Sequence, residues 1–442
     1  MRLKVRKREM GQILSLALPV AAENILQTLL GTADTYFAGQ IHDNAIAAIG
    51  VTNLVINIFI ALLTAVSVGT TAIVARNIGK KDIRRAGLAI KQSILLGFGL
   101  GIAVGLFSAL LCRPILQISG AQDEILTYAV PYYLIVAGPS VFLCLSMILS
   151  SCLRAAKDAK SPMIATGLAN LLNLGLDFMF IKMGLGIVGL GLATTISRGV
   201  TVVILLLRLR KNRNFATLKL REWQPDFEML RAISRIGIPA GIEKLVMRFG
   251  QLVYNGMILS LGASAYVAHS VAGTIESYSY IPAMGFGVAA ATFVGISLGE
   301  GNAENARHLT FLCNRAATAC MVLIGAVFYF FAPQLAALFT QTEQVLEMVV
   351  RVLRLIAFFQ PVSALTQVLT SALQGAGDTR FPMIATLFGI WGVRVIGGYL
   401  LAVCLGWGLF GVWCGYALDL TLRAAILLVR FERGKWRQIQ FA

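Results

Sequence analysis

The stretch PVAAENILQTLLGTAD, which runs from Pro19 to Asp34, decides the fold because it lies inside a long apolar segment. A transmembrane helix needs about 20 mostly apolar residues, and this segment is long enough to cross a bilayer. Pro19 lacks a backbone N–H, so we expect the helix to bend one turn before it. Asp34 lies near the far end of the span, and a charged side chain costs about 2.5–3.5 kcal/mol at the helix centre and less near the ends. This cost predicts an ion or substrate site, although an acid close enough to the surface to stay hydrated would need no role.

The composition is that of a protein that crosses a membrane several times. The chain has 442 residues, of which 57% are hydrophobic and only 13% are charged, and its mean hydropathy is +0.77. The seven cysteines form no CxxC pair and the three histidines show no ligand spacing, so neither disulfides nor a metal centre are predicted. The sequence contains no phosphate-binding loop and no nucleophile motif, which predicts that the chain is not an enzyme.

Lysine and arginine residues are concentrated in alternate loops between the apolar spans. This distribution predicts that both termini lie in the cytoplasm and that the number of spans is even. A basic surface for nucleic acid would not alternate loop by loop, so the net charge of +17 predicts no nucleic-acid partner. Twelve spans are predicted, at approximately 12–37, 47–75, 88–111, 126–150, 162–182, 187–208, 231–260, 264–297, 309–331, 346–370, 383–404 and 409–430.

The two halves of the chain repeat each other at a constant offset in numbering. The sequence PMIAT at 162–166 recurs at 382–386, and the same offset (382 − 162) relates Pro19 to Pro239. Six spans per half make parallel repeats, which in transporters reorient to give alternating access, and the two prolines are the predicted hinges. We therefore predict an all-α polytopic membrane protein with twelve transmembrane helices in two six-helix lobes related by a parallel internal repeat. The predicted division is an N-terminal lobe at 1–210, a cytoplasmic linker at 211–228 and a C-terminal lobe at 229–442.

Four polar residues of the first half are candidates for a cation site. Asp177 in span five and Asp34 in span one lie at a similar distance from the outer end of their spans. Asn173 is one helical turn before Asp177 and on the same face, and Thr195 lies in span six. Hard cations prefer oxygen ligands, so this set predicts binding of Na⁺ or of a proton. Hydrogen bonds between packed helices, without any transport role, are the alternative explanation.

The second half carries a different polar set. Glu243 and Lys244 lie in span seven, Glu276 in span eight, Arg394 in span eleven, and Asp419 and Arg423 in span twelve. Arg394 and Asp419 both fall near mid-membrane, where we expect them to neutralise each other. Glu276 is the better candidate for a second acid that faces a cation, although Lys244 is a possible partner for it.

Several motifs resemble the multidrug and toxic compound extrusion (MATE) family. Span one contains P-x14-D-T-Y-F-A-G-Q and span two opens with A-I-A-A-I-G. Span five contains N-x3-D followed by G-L-G-L-A-T-T, and the loop after span ten contains A-L-Q-G-A-G-D-T-R-F-P-M. The resemblance covers nearly the whole chain and is closest to the bacterial and archaeal branch similar to DNA-damage-inducible protein F. Span five has L-D-F where many members have L-D-P, a departure that does not touch the cation set.

The resemblance implies export of amphipathic organic cations in exchange for Na⁺ or H⁺, with no other cofactor. It also implies a monomer in the inner (plasma) membrane of a bacterium or archaeon, with small cationic molecules and the lipid bilayer as partners. The functional residues of that branch match the cation-binding set Asp34, Asn173, Asp177 and Thr195, with any Na⁺ held at the two acids. Gln27 then lies on the cavity wall, and the substrate cavity is predicted to comprise Gln27, Asp34, Asn173 and Glu276.

Two other functions are compatible with parts of the sequence. A relative that flips lipid-linked sugars usually has extra spans and an arginine-rich cavity, whereas the first half here carries acids. A membrane enzyme acting on polyprenyl substrates needs acidic or histidine clusters in its surface loops, and these loops are short and basic. Between the coupling ions, two acids in an apolar lobe slightly favour H⁺ over Na⁺.

Overall fold

The computed structural model describes residues 2–211 and 224–439. These residues form helices and no strands, which confirms the predicted all-α membrane fold. The helices of the first half are α1 (Arg2–Gly39), α2 (Asp43–Gly79), α3 (Ile83–Leu110), α4 (Cys112–Ile118), α5 (Asp123–Ala137), α6 (Ser140–Ala155), α7 (Lys160–Lys182) and α8 (Gly186–Lys211).

The second half repeats this order with one irregular region. Between α14 and α15, two π-helical segments cover Phe388–Gly397 and Leu400–Cys404 within the predicted eleventh span. A π-helix is rare and widens the helical turn, so it often marks a functional or strained site. The α-helices are α9 (Phe227–Ser260), α10 (Ala263–Gly299), α11 (Ala303–Phe330), α12 (Ala332–Ala337), α13 (Glu343–Gly375), α14 (Arg380–Leu387) and α15 (Gly408–Glu432), followed by a 3₁₀ turn at Lys435–Gln438.

The sequence repeat is also a repeat of helix capping. The side chain of Asp82 accepts a hydrogen bond from the backbone N–H of Arg85 at 2.9 Å and caps α3. Asn302 does the same for α11 by accepting from the N–H of Asn305 at 2.9 Å. The two capping positions are related by the repeat offset (302 − 82), and each cap satisfies a donor that the helix itself leaves unpaired.

Ten of the described helices are long and apolar enough to cross a membrane, or eleven if one bent pair counts as a single span. That pair is α5 and α6, which meet at 47° around Pro139 within the predicted fourth span. The predicted seventh span corresponds to α9, which has 34 residues but is not among the ten or eleven. Glu243, Lys244 and Arg248 lower the hydropathy of its apolar part. The predicted total of twelve therefore depends on a helix that length and composition do not mark as a span.

The chain packs as two compact units, and each unit contains a segment from the other half of the sequence. One unit comprises Met1–Ala21 and Ile242–Ala442, and the other comprises Ala22–Gly241. The exchange points fall two residues after Pro19 (21 − 19) and two residues after Pro239 (241 − 239). The predicted lobes are continuous stretches of chain, and that division stays a prediction. Most of the predicted linker at 211–228 lies outside the described residues.

Each exchanged segment is held by a contact that is too close for a side chain. A Cβ added to Gly285 on α10 would stand against the carbonyl oxygen of Ala17 on α1. In the other unit, a Cβ added to Gly237 on α9 would stand against the carbonyl oxygen of Ala65 on α2. The repeat offset relates both members of the pair (237 − 17 and 285 − 65). Only glycine permits this approach of two helix backbones, so both halves fix their exchanged segment in the same way.

Candidate functional site

The two predicted acids of the first half are buried in the same unit. Asp34 on α1 is 7% exposed and Asp177 on α7 is fully buried. The two carboxylates are close enough to interact electrostatically. Within the described residues neither acid forms an ion pair, and the Oδ1 atom of Asp177 has no hydrogen-bond partner. An uncompensated buried carboxylate is unfavourable, so the pair is suited to hold a proton or a metal cation.

Asn173 lies beside Asp177, as its position one turn earlier on α7 predicts. With its amide nitrogen turned towards the acid, Asn173 donates a hydrogen bond to Oδ2 of Asp177 at 2.9 Å. In this orientation its side-chain oxygen accepts from the backbone N–H of Thr194 on α8 at 3.2 Å. Asn173 therefore links the second acid to α8.

Thr194 rather than Thr195 lies next to this amide. The Thr195 hydroxyl donates to the carbonyl oxygen of Ile135 on α5 at 2.7 Å. The hydroxyl of Thr194 is buried and donates to the carbonyl of Leu190 at 3.0 Å. Consecutive helical residues point about 100° apart, so the two threonines face different neighbours. A role for Thr195 in cation binding stays a prediction.

Two residues that sequence reasoning did not select complete the cluster. Tyr132 on α5 is buried and interacts electrostatically with Asp34, Asp177 and Arg198. Arg198 on α8 donates from Nη1 to the carbonyl oxygen of Val136 at 3.3 Å and interacts electrostatically with Asp34 and Tyr132. The sequence does contain a signal for Arg198, because a charged residue in the middle of an apolar span marks a functional site by default. The sequence contains no such signal for Tyr132, because tyrosine is common in apolar helices.

The predicted cavity residues Gln27 and Glu276 belong to different units. Gln27 is exposed on α1, two turns before Asp34. Glu276 on α10 is buried, and its Oε1 atom accepts from the hydroxyl of Tyr416 at 2.6 Å and from the hydroxyl of Tyr280 at 3.2 Å. In the described part of the chain its partners are therefore tyrosines, and no ion pair with Lys244 is present.

The predicted pairing of Arg394 with Asp419 is present and includes a second arginine. Asp419 on α15 is fully buried, and Oδ2 lies 2.6 Å from Nη2 of Arg394 in the π-helical region. Arg423, one turn later on α15, donates to both carboxylate oxygens at 2.6 and 2.8 Å. The guanidinium of Arg394 also stacks over the Tyr416 ring at 4.3 Å. Charge-assisted bonds of this geometry are typical of a structural cluster, and Arg394 also interacts electrostatically with Glu276.

A buried glutamate follows each hinge proline by one helical turn. Glu23 on α1 accepts from Nη1 of Arg154 on α6 at 3.0 Å. Glu243 on α9 accepts from Nε2 of Gln374 on α13 at 2.9 Å and from the hydroxyl of Thr386 at 3.3 Å. The repeat offset relates both partners (243 − 23 and 374 − 154). The repeat thus anchors both helices just beyond the exchange points, once with an ion pair and once with an uncharged partner.

A family model described as MatE matches residues 19–179 and 239–400. The chain belongs to this family. The two matched segments begin at the hinge prolines, so the repeat of the sequence is also the repeat of the family. Members of the MATE family are transporters, and the chain is accordingly a membrane transporter and not an enzyme. The more specific branch that the motifs indicate stays a prediction.

Relatives and solved structures match along nearly the whole chain. The Probable multidrug resistance protein NorM of Thermotoga maritima is 31% identical over 434 residues, which cover 97% of this chain and 93% of that protein. A crystal structure of MATE in the bent conformation matches with a TM-score of 0.91 at 25% identity and covers 97% of this chain and 96% of that chain. A MOP superfamily transporter from Pyrococcus furiosus Vc1 matches with a TM-score of 0.90 at 25% identity, and the match covers 98% of this chain and 97% of that chain. For that transporter, the reverse polarity of the binding pocket suggests a different function.

Proposed function

We propose that the protein exports amphipathic organic cations in exchange for an inward-moving H⁺ or Na⁺ by alternating access. The observation that carries this proposal is the buried pair Asp34 and Asp177, which forms no ion pair among the described residues. A relative named for multidrug resistance supports the substrate class. We place the transporter as a monomer in the plasma membrane of a bacterium or archaeon, with both termini in the cytoplasm.

The substrate and the coupling ion compete for the same carboxylates. Two neighbouring carboxylates in an apolar unit are unfavourable unless a positive charge neutralises them. A proton, Na⁺ or an organic cation can each supply that charge, but they cannot all occupy the pair at once. Binding of the ion from outside therefore releases the organic cation, and release of the ion into the cytoplasm prepares the acids for the next one.

H⁺ is the coupling ion that we propose, because the amide oxygen beside the acids is engaged while one carboxylate oxygen is free. The side-chain oxygen of Asn173 accepts from the N–H of Thr194, whereas Oδ1 of Asp177 has no hydrogen-bond partner among the described residues. Na⁺ binding benefits from several free oxygen ligands, whereas a proton needs only one carboxylate oxygen such as Oδ1 of Asp177. Arrival of the proton would neutralise one acid while Asn173 keeps its hydrogen bond to the other oxygen of Asp177.

The prolines supply the bends that alternating access needs. Pro19 and Pro239 each lie two residues before the point at which α1 and α9 pass from one compact unit to the other. A proline removes one helical hydrogen bond, so these positions bend at lower cost than the rest of the helix. Gly237 and Gly285 fix the helix segment before each bend, and Glu23 and Glu243 fix the segment after it. We propose that reorientation is concentrated at the two prolines.

The aromatic surroundings of Glu276 suit an organic cation in the second unit. The hydroxyls of Tyr280 and Tyr416 hold its carboxylate, and aromatic rings such as that of Tyr280 attract positive charge. We propose that Glu276 is a substrate contact of one unit and the exposed Gln27 a substrate contact of the other, while Asp34 and Asp177 also bind the coupling ion. Glu276→Gln is then expected to raise the KM for a cationic dye and to leave the response to the ion gradient unchanged.

The proposal is tested by ethidium transport in proteoliposomes with a pH gradient or a Na⁺ gradient imposed separately. Gradient-driven movement of ethidium in the wild type, lost in Asp34→Asn, is the expected result. A protein that moves no cationic dye under either gradient but moves fluorescent lipid-linked sugars between leaflets would instead be a flippase. Equal transport by the wild type and Asp34→Asn would remove the acid pair from the mechanism.

A further inference from the structure

We propose that Arg198 sets the charge of the first-half cation site at one negative unit and makes the site selective for monovalent cations. This inference rests on the proposed function and assigns a specificity-determining role to a residue outside the predicted cation set. Removal of its charge would turn a site for one monovalent cation into a site that favours divalent cations.

The position of Arg198 follows from two neighbouring contacts between α5 and α8. The side chains of Tyr132 on α5 and Thr194 on α8 lie close to each other. One helical turn further along each helix, Nη1 of Arg198 donates to the carbonyl oxygen of Val136 at 3.3 Å. Thr194 also contacts Asn173 through its backbone N–H, and Asn173 contacts Asp177. The guanidinium therefore lies one turn from the residues that connect directly to the acids.

The charge of Arg198 is available to the acids rather than used in a salt bridge. It interacts electrostatically with Asp34 and Tyr132, yet no carboxylate oxygen lies within 4.0 Å of its nitrogens in the described part of the chain. The arginines around Asp419 differ, because they bond its carboxylate at 2.6 to 2.9 Å. A charge held by a backbone carbonyl in a low-dielectric unit acts over a longer range than it would in water.

The titratable groups that face the site come from four helices, and three of these groups carry charge. Asp34 on α1 and Asp177 on α7 contribute two negative charges when both are ionised, Arg198 on α8 contributes one positive charge, and Tyr132 on α5 is neutral. The sum is one negative charge, so one proton, one Na⁺ or one monovalent organic cation neutralises the site. Exchange of one such ion for one such cation then moves no net charge across the membrane. Without Arg198 the sum is two negative charges, and neutralisation takes two monovalent ions or one divalent cation.

The selectivity is tested by equilibrium binding to purified protein at pH 8, with ethidium as the monocation and propidium as the related dication. Arg198→Gln is expected to raise the affinity for propidium relative to ethidium about tenfold, since one unit charge at this range has an effect of that order. Arg198→Lys keeps the charge and is expected to keep the wild-type ratio. An arginine that only supports the Val136 carbonyl would give the same ratio in all three proteins, and that result would overturn the inference.

A measurement on the unaltered protein keeps the inference testable if Arg198→Gln does not fold. In proteoliposomes with valinomycin and a K⁺ gradient, wild-type ethidium exchange is expected not to respond to the membrane potential. If the exchange rate rises with the membrane potential as expected for one net charge moved per cycle, that result would contradict a site of one negative charge. If the wild type binds the dyes with the expected selectivity but no ion gradient moves ethidium, the proposed antiport is wrong while the role of Arg198 stands. If neither dye binds, both are wrong.

Discussion

The carboxylate of Glu23 accepts a hydrogen bond from Nη1 of Arg154 at 3.0 Å. Glu23 lies four residues after Pro19 (23 − 19). The equivalent pair of the second half is Glu243 with Gln374, at 2.9 Å. The two hydrogen bonds occupy equivalent positions in the repeat, but the donor is charged in the first half and uncharged in the second. The segment after Pro19 is therefore fixed by an ion pair, whereas the segment after Pro239 is fixed by a hydrogen bond from an uncharged amide.

Arg154→Gln gives the first half the same anchor as the second half. We expect slower turnover with little change in ethidium affinity, because an uncharged amide holds the buried Glu23 more weakly than the guanidinium does, so the segment after Pro19 is less firmly fixed. A hydrogen bond to a charged group contributes about 1.5–3 kcal/mol, so the melting temperature should fall. Turnover and ethidium affinity in proteoliposomes check this, with Arg154→Lys as the matched control that keeps the charge. Unchanged turnover in Arg154→Gln would show that the anchor has no part in the motion.

Pro19→Ala is expected to slow transport without removing cation binding. Alanine restores the missing backbone donor and stiffens α1 at the point where it passes between the two units. The measurement is ethidium efflux alongside ethidium binding to the purified protein. Wild-type efflux with Pro19→Ala would remove this proline from the mechanism, whatever the effect of Pro239→Ala.

Asp177→Asn is expected to abolish coupled efflux as completely as Asp34→Asn, and the double variant should be no worse than either single variant. Residues that act as one site give non-additive losses. Efflux rates of the three variants check this, with the exposed Asp43→Asn as a control for loss of a carboxylate elsewhere. If the fractional activity of the double variant equals the product of the fractional activities of the two single variants, the two acids belong to independent sites.

Gly237→Ala is expected to destabilise the protein, because its new Cβ would meet the carbonyl oxygen of Ala65. Overpacking of this kind costs about 1–3 kcal/mol, and the backbones of α9 and α2 must separate to relieve it. Gly256→Ala on the same helix is the control, since nothing lies within 4 Å of its Cβ position. Melting temperatures in detergent compare the two, and a fall in Gly256→Ala as large as that in Gly237→Ala would contradict the contact.

The sequence predicts those parts of the fold and site that depend on neighbours along the chain. Helical periodicity places Asn173 beside Asp177, and the depth of each span places Asp34 near the same level, because both follow from position within one helix. Tyr132 and the distinction between Thr194 and Thr195 depend on how α5, α7 and α8 rotate against each other. That rotation is set by tertiary packing and leaves no periodic signal.

The exchange of segments between the units was not predictable for a related reason. The repeat locates Pro19 and Pro239, but it relates each half to the other and does not say which unit a segment packs against. The decisive contacts are those of Gly237 and Gly285, whose partners are distant in sequence. Arg394 falls in a π-helical region that hydropathy cannot distinguish from an ordinary span, although its pairing with Asp419 could be anticipated from charge and depth.

The central claim is that the pair Asp34 and Asp177 couples ion entry to cation export. The most direct measurement is ethidium efflux from proteoliposomes with an imposed pH gradient and no Na⁺ gradient, then with a Na⁺ gradient and no pH gradient, for the wild type and Asp34→Asn. We predict efflux driven by the pH gradient in the wild type and none in Asp34→Asn. Efflux driven by Na⁺ alone would show that the preference for H⁺ is wrong, and efflux by Asp34→Asn at the wild-type rate would contradict the claim itself.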